Sequence, residues 1–260
     1  MMSSKRLHNK VILVFGGLGL LGKTLCKAIR TVNGTPVIAD VSHDAYRDWL
    51  AKEGLSDTDF PFVPADILET ISVDKALRTV HETFGRLDAV LNAAYPRNKN
   101  YGVKFLDVSL ADFNENVSLL LGGYFNVMQR AAKFFLDNEA GGNIVNISSI
   151  YGVIPPRFEI YKGTSMTTPV EYAAAKSALQ HVSRYAAKYL KGSNIRINCV
   201  SPGGLLDNQP APFLSAYGEH CNSKGMLTPD DVVGTILFLL SDDSAYVTGQ
   251  NIVVDDGFTL

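Results

Sequence analysis

The chain has 260 residues, of which 46% are hydrophobic and 19% charged, a balance typical of a globular protein with a large core. The formal net charge is −2 without long runs of one sign, which argues against a nucleic-acid or anionic-membrane partner. The three cysteines and five histidines lack metal-ligand spacing, so we expect no metal site.

The first residues imitate a secretory signal, with a basic stretch from Lys5 to Lys10 followed by an apolar run from Val11 to Gly22. That run contains four glycines and lacks a small-residue cleavage site. No apolar stretch reaches the roughly 18 to 20 residues that span a bilayer. We therefore expect a cytoplasmic protein.

Short β-branched runs alternate with longer helical patterns along the chain, which predicts a parallel sheet with helices on both faces. We therefore expect an α/β protein with a single doubly wound Rossmann domain over residues 1–260. The predicted strands are Val11–Phe15, Pro36–Asp40, Phe62–Asp66, Ala89–Ala93, Asn143–Ser148, Ile195–Val200 and Asn251–Val254. The predicted helices lie near 20–32, 44–53, 71–84, 109–137, 170–190 and 228–241.

Two stretches, near 151–169 and 202–227, break the alternation and are rich in Pro, Gly, Tyr and Asn. Each follows a predicted strand at its carboxyl end, where open α/β sheets bind their ligands. We therefore predict that both are insertions on the substrate side, with 205–225 as a lid.

The first predicted strand runs directly into a loop with glycines at 16, 17, 19 and 22, and a helix follows. Glycine permits close approach of the backbone to a pyrophosphate, which the helix start then favours. Alone, this pattern also fits an ordinary strand-to-helix turn. Asp40, which ends the second strand, adds a carboxylate for ribose hydroxyls that would repel a 2′-phosphate, although it also suits a turn. The cofactor expected is NAD, with NADP less favoured.

Tyr172 and Lys176 are four residues apart in a strongly helical stretch, which places both on one face. An ammonium beside a phenol lowers the pKa of the phenol, so Tyr172 could transfer a proton. Tyr95 and Lys99 share this spacing, but Pro96 opposes a helix there. The alternative is that Tyr172 and Lys176 merely lie on a helix surface.

These motifs resemble the short-chain dehydrogenase/reductase family, and the similarity runs over nearly the whole chain. The resemblance implies a seven-stranded parallel sheet of order 3-2-1-4-5-6-7. It also implies an adenine contact at Asp66 and a cofactor-pocket wall at residues 92–94. The cofactor residues implied are Gly16, Gly19, Leu20, Leu21, Gly22, Asp40, Asp66, Ile67, Asn92, Ala93, Ala94, Tyr172, Lys176, Pro202, Gly203 and Leu205.

The catalytic residues that the resemblance implies are Ser149, Tyr172 and Lys176. Tyr172 would be the general acid or base, and Ser149 would hold the reacting oxygen, with Ser148 as the near alternative. Lys176 would lower the tyrosine pKa and bind the nicotinamide ribose.

The chain departs from the family in two places. Phe15 stands where the family usually has Thr, before the first loop glycine. Leu120 stands where a catalytic Asn is usual, and Asn116 lies one turn earlier. Whether Asn116 replaces the usual Asn is left open by the sequence.

The segment between Ser149 and Tyr172 is about ten residues longer than is usual in the family. Its cations and hydroxyls fit a sugar, sugar phosphate or nucleotide sugar, although solvated loop residues fit equally well. The side chains concerned are Arg157, Tyr161, Lys162, Thr164 and Thr167, with Arg97 and Lys99 after the fourth strand.

The stretches at 163–170, 203–210 and 224–227 also look like those of oxidoreductases of flagellin modification and nonulosonic-acid sugars. We predict an NAD-dependent oxidoreductase that interconverts an alcohol and a carbonyl. The alternatives are a non-catalytic NAD-binding regulator and a sugar epimerase or dehydratase. By resemblance, we expect a homodimer or homotetramer built through the helices near 109–137 and 170–190.

Overall fold

A sheet of seven parallel strands, in the order β3-β2-β1-β4-β5-β6-β7, organises the part of the chain that the structure describes. This structure is a computed structural model that describes residues 6–260, so Lys5 of the basic start lies outside it. The predicted fold class and strand order are confirmed. The strands are β1 (Val11–Phe15), β2 (Thr35–Asp40), β3 (Phe62–Pro64), β4 (Ala89–Asn92), β5 (Gly142–Ile147), β6 (Ile195–Pro202) and β7 (Asn251–Val254).

Helices cover both faces of this sheet. Their bounds are α1 (Leu20–Thr31), α2 (His43–Glu53), α3 (Thr70–Phe84), α4 (Leu110–Val117), α5 (Gly123–Asp137), α6 (Val170–Tyr189), α7 (Ala211–Gly218) and α8 (Pro229–Leu240). Side chains of α1, α2 and α8 pack on one face, and those of α3, α5 and α6 pack on the other. In this described part, no helix is both long and apolar enough to cross a membrane.

The central strand β1 shows why its sequence is apolar at every position. Ile12 and Val14 enter the core beneath α1 and α8, whereas Leu13 and Phe15 enter the core beneath α3 and α5. Because successive side chains of a strand point to opposite faces, a strand covered on both sides alternates between two cores. Phe15, the last residue of β1, pairs with Asn92 of β4 at the carboxyl edge of the sheet.

The helix predicted over 109–137 is interrupted. A π-helical turn at Ser118–Gly122 separates α4 from α5. A Cβ on Gly123 would lie 2.6 Å from Ile67 Cδ1, so the glycine lets α5 approach the segment after β3. A π turn adds one residue without changing composition, so the 3.6-residue period does not reveal it.

The two predicted insertions fold together into a third core above the carboxyl ends of the strands. The first contains short 3-10 turns, and the second contains α7, a helix that the sequence did not predict. Phe213 and Tyr217 from α7 meet Ile160 from the first insertion and Phe258 from the C-terminal segment. This third core is thus built from three separate stretches of chain.

Candidate active site

The glycine loop between β1 and α1 forms a tight cradle. Gly16 has a φ of +72°, and a Cβ there would lie 2.5 Å from Ala94 Cα. A Cβ on Gly22 would lie 2.2 Å from Gly16 O, so both positions exclude larger residues. The first turn of α1, which begins at Leu20, contains no acidic residue. Amides at the start of a helix can bind a diphosphate, which is the role that the sequence predicts for this loop.

Asp40, at the end of β2, is joined to this loop by a hydrogen bond. Its carboxylate accepts from the amide of Leu18 at 3.1 Å and from that of Val41 at 2.8 Å. Asp66 behaves differently, because its Oδ1 accepts from the Leu68 amide at 2.9 Å and closes the turn before α3. Ile67 is buried against Gly123. The carboxylate of Asp40 is therefore tied to the glycine cradle, whereas that of Asp66 is tied to a neighbouring turn.

The stretch after β4 closes the back of the cradle. Asn92 is fully buried, and neither of its amide atoms has a hydrogen-bond partner among the described residues. The Ala93 amide donates to Phe15 O at 2.9 Å, and the backbone of Ala94 abuts Gly16. This segment supports the loop from behind and leaves Ala93 on the wall of the cleft.

Ser149, Tyr172 and Lys176 converge on one cleft of about 680 Å³. Ser149 follows β5, and the other two residues lie one turn apart on α6. The hydroxyl of Ser148 instead donates to Lys176 O at 3.0 Å and accepts from Gln180 at 3.1 Å. Those bonds fix Ser148 against α6, so Ser149 is the serine available to a ligand. Other predicted residues on the same cleft are Gly19, Leu20, Leu21, Ala93, Pro202, Gly203 and Leu205.

Burial is the main influence on the pKa values of Tyr172 and Lys176. It raises the pKa of Tyr172 well above its usual 10.0, and a hydrogen bond with Ser149 opposes that rise. Burial also lowers the pKa of Lys176 to about 7. The Lys176 ammonium donates to Ile147 O at 2.6 Å. Desolvation is therefore the main influence on the pKa of both Tyr172 and Lys176.

Asn116 does not take the place of the asparagine that is usual in this site. Its amide donates to Glu171 and to Asn98, each at 3.1 Å, and its oxygen accepts from the Asn98 backbone at 3.0 Å. Leu120 is buried in the π-helical turn. Asn116 therefore joins the segment after β4 to the first turn of α6 through Asn98 and Glu171.

The part of the cleft away from the glycine loop, which we propose as its substrate end, is lined mainly by aromatic and hydroxyl side chains. Tyr161 is central, since its hydroxyl bonds to that of Tyr151 at 2.7 Å and to that of Thr168. The guanidinium of Arg97 lies 5.2 Å from the ring of Tyr95, which packs edge-on to Tyr172 with ring centroids 5.7 Å apart. The remaining lining includes Tyr101, Met166, Thr167, Gln209, Phe213, Tyr217 and Met226.

Four of the predicted substrate-side residues do not line the cleft, namely Arg157, Lys162, Thr164 and the exposed Lys99. Arg157 donates to Phe258 O at 3.3 Å and to Leu260 O at 3.2 Å, so it fixes the C-terminal segment and does not line the cleft. The hydroxyl of Thr164 donates to Tyr161 O at 2.9 Å, within its own turn. Lys162 is exposed on that turn. An arginine in a loop can donate to backbone carbonyls as well as to a ligand. The sequence does not show which of these partners it has.

Sequence reasoning also missed several lining residues. Tyr124, Tyr151 and Met226 were not singled out, although all three border the cleft. Tyr124 follows the π-helical turn, which shifts the helical register. Helical periodicity therefore does not predict which way its side chain points. In residues 6–260, no cluster of His, Cys, Asp or Glu is arranged to hold a metal ion.

Comparison with known proteins assigns the family. A family model described as enoyl-(acyl carrier protein) reductase matches residues 21–259. The post-translational flagellin modification protein A of Campylobacter coli is 38% identical, over 98% of this chain and 100% of its own length. A 3-oxoacyl-[acyl-carrier-protein] reductase of Thermotoga maritima is 30% identical, over 98% of this chain and 100% of its own. The chain belongs to the short-chain dehydrogenase/reductase family.

A solved structure agrees with this assignment. A short-chain dehydrogenase from Leptospira borgpetersenii with bound NAD+ matches with a TM-score of 0.86 and 29% identity, covering 99% of this chain and 95% of that chain. The present chain is therefore a short-chain dehydrogenase/reductase enzyme, an oxidoreductase, as its motifs predicted.

Proposed function

We propose that this short-chain dehydrogenase/reductase is an NAD-dependent oxidoreductase that interconverts an alcohol and a carbonyl on a sugar, sugar phosphate or nucleotide sugar. The observation that carries the proposal is the convergence of Ser149, Tyr172 and Lys176 on a cleft whose opposite end is the glycine cradle. This arrangement puts a proton donor beside the place where a dinucleotide would end.

The residues present fit a nicotinamide dinucleotide. The loop with Gly16, Gly19 and Gly22 leads into the start of α1, whose amides would bind a diphosphate, and Asp40 would accept from the adenosine ribose hydroxyls. A carboxylate followed by Val41 disfavours a 2′-phosphate, which is why we propose NAD over NADP. Asp66 and Ile67 would border the adenine. When bound, the nicotinamide supplies or accepts the hydride.

Tyr172 is the residue that we assign to proton transfer. Its raised pKa keeps it protonated at neutral pH, so it can donate to the carbonyl oxygen in the reductive direction. Ser149 would hold that oxygen within reach of the phenol. Charged Lys176 would stabilise the tyrosinate left behind, and its pKa of about 7 makes this help depend on pH near neutrality.

The substrate class is inferred from the far end of the cleft. The exposed guanidinium of Arg97 lies on the rings of Tyr95 and Tyr101, where it could contact an anionic group. Tyrosine and threonine hydroxyls beside it match the hydroxyls of a sugar. The similarity to the flagellin modification protein supports the same class.

We also propose that residues 1–260 act as one domain in the cytoplasm and assemble as a homodimer or homotetramer. The stacked rings of Tyr185 and Tyr189 on α6 are 68% and 79% exposed, an aromatic surface suited to a subunit contact. Light scattering behind size exclusion would determine the mass, and a monomer at micromolar concentration would contradict this proposal.

The test of the function begins with binding of NADH and NADPH to the purified protein. Absorbance of the reduced nicotinamide is then followed with a panel of sugars, sugar phosphates, nucleotide sugars and alcohols. In Tyr172→Phe, turnover should fall by about 10²- to 10⁴-fold while NADH still binds. Tyr246→Phe, at a fully exposed tyrosine, is the matched control.

Each outcome bears on a different part of the proposal. Full activity in Tyr172→Phe would overturn the assigned mechanism. Tight NADH binding without turnover on any substrate would favour the regulator, and turnover without net change in NADH would favour the epimerase or dehydratase. If Arg97→Met raises KM equally for phosphorylated and neutral substrates, the anionic class is wrong.

A further inference from the structure

We propose that Tyr124 is a positioning residue whose ring face holds the ammonium of Lys176 in its charged form beside Tyr172. The inference rests on the proposed roles of Lys176 and Tyr172 and adds a residue that none of the motifs identified.

The geometry is that of a buried cation–π contact. Lys176 Nζ lies 4.3 Å from the centroid of the Tyr124 ring and 5.7 Å from that of the Tyr172 ring. A separation within about 6 Å of the ring centroid defines such a contact, and the attraction is strongest when water is excluded. Lys176 and Tyr124 are only 4% and 2% exposed. Water therefore does little to screen this pair.

Few groups other than Tyr124 stabilise the positive charge of Lys176. From β5, the carbonyl of Ile147 accepts from Nζ at 2.6 Å. From β6, Cys199 faces Lys176, but burial raises the pKa of that thiol to about 11, which leaves it neutral near pH 7. From α6 itself, Tyr172 is neutral for the same reason. Within residues 6–260 no carboxylate forms an ion pair with Lys176. The ring of Tyr124, which is closer to the ammonium than that of Tyr172, is therefore the main compensation besides one carbonyl.

The backbone just before Tyr124 gives a second reason to assign it this role. The π-helical turn at Ser118–Gly122 ends just before Tyr124, and such turns are frequent at functional sites. The same turn contains Leu120, at the position where the family usually has a polar asparagine. An aliphatic side chain at that position gives the ammonium no hydrogen-bond acceptor, whereas the aromatic ring one turn later does face it.

The test compares Tyr124→Phe, which keeps the ring, with Tyr124→Leu, which removes it. Titration of ¹³Cε-labelled lysines by NMR reports the Lys176 pKa directly, with the signal assigned as the one lost in Lys176→Met. Tyr124→Leu should lower this pKa by about one unit, and Tyr124→Phe should leave it nearly unchanged. The pH midpoint of kcat that depends on Lys176 should move down by the same amount in Tyr124→Leu only.

Either of two results would overturn the inference. One is an unchanged Lys176 titration in Tyr124→Leu, and the other is an equal fall in Tyr124→Phe, which would assign the effect to the hydroxyl. If Tyr124→Leu does not fold, Tyr124→Met removes the ring with a side chain that adapts to the gap. A shifted Lys176 pKa in a protein without turnover would uphold this contact and refute the proposed function.

Discussion

The two ends of the cleft are built in different ways. The cofactor end consists of backbone and strand ends, with Gly16 against Ala94 and Asp40 hydrogen-bonded to Leu18. The substrate end consists of side chains from three distant stretches, joined by hydroxyls such as that of Tyr161 and by the aromatic core around Phe258. The first end follows from the fold itself, whereas the second depends on how long loops pack.

This difference predicts where substitutions should act. A change at the cofactor end should alter dinucleotide binding for every substrate. A change at the substrate end should leave dinucleotide binding intact and alter KM for the substrate alone. Three substitutions examine the two ends, beginning with the largest expected effect, and a fourth examines the contact of Asp256 with the second insertion.

Gly22→Ala should damage the cofactor end most. The added Cβ would lie 2.2 Å from the backbone oxygen of Gly16, which cannot rotate away as a side chain could. We expect the free energy of unfolding to fall by about 1 to 3 kcal/mol and the Kd of NADH to rise at least roughly tenfold. Chemical denaturation and NADH fluorescence measure the two effects.

Gly234→Ala is the matched control, because its Cβ would meet nothing within 4 Å in the middle of α8. It should stabilise the protein by about 0.5 to 1 kcal/mol without changing the NADH Kd. Equal behaviour of the two alanine variants would show that the loop is not tightly packed.

Asp40→Asn should change cofactor choice with a smaller loss of stability. The amide can still accept from Leu18, but it no longer repels a 2′-phosphate. We expect the ratio of kcat/KM for NADPH over NADH to rise roughly tenfold, which corresponds to about 1.4 kcal/mol. Asp44→Asn, at an exposed carboxylate in the first turn of α2, controls for overall charge. An unchanged ratio would refute the assignment of Asp40 to the ribose.

Tyr161→Phe addresses the substrate end. It removes the bonds to Tyr151 and Thr168, at about 0.5 to 1.5 kcal/mol for each net hydrogen bond. The substrate KM should rise several-fold while the NADH Kd stays constant, as steady-state kinetics and fluorescence titration would show. A rise in the NADH Kd as well would mean that the two ends are coupled.

Asp256→Asn should have the smallest effect, visible in the pH dependence of stability. Bonds from Ser223 and from the amides of Gly225 and Lys224 hold the pKa of this exposed carboxyl well below its usual 3.8. A depressed pKa stabilises the fold above about pH 4, and this is lost as pH falls toward the folded-state value. The free energy of unfolding of the wild type should therefore exceed that of the variant at pH 6, and this difference should become smaller below pH 4. A gap that is constant with pH would contradict this account.

The sequence predicted the sheet and the glycine loop closely, because strand periodicity and glycine spacing determine backbone geometry. The contacts assigned to the cofactor end stay predictions. The sequence predicted the substrate end only as a region. Arg157 was interpreted as a ligand contact but binds backbone carbonyls, since a loop cation carries no local sign of its partner. The sequence also did not predict helix α7 or the orientation of the Tyr124 side chain, because both depend on packing between residues distant in sequence.

The position of Phe258 in the third core also bears on how the protein forms during synthesis. The residues of strands β1 to β6 and of the glycine cradle precede residue 205 in the sequence. The proposed substrate end needs Phe258, which packs on Tyr217 with ring centroids 4.2 Å apart and follows β7 in the sequence. Translation therefore supplies every residue of the glycine cradle before it supplies those that complete the substrate pocket.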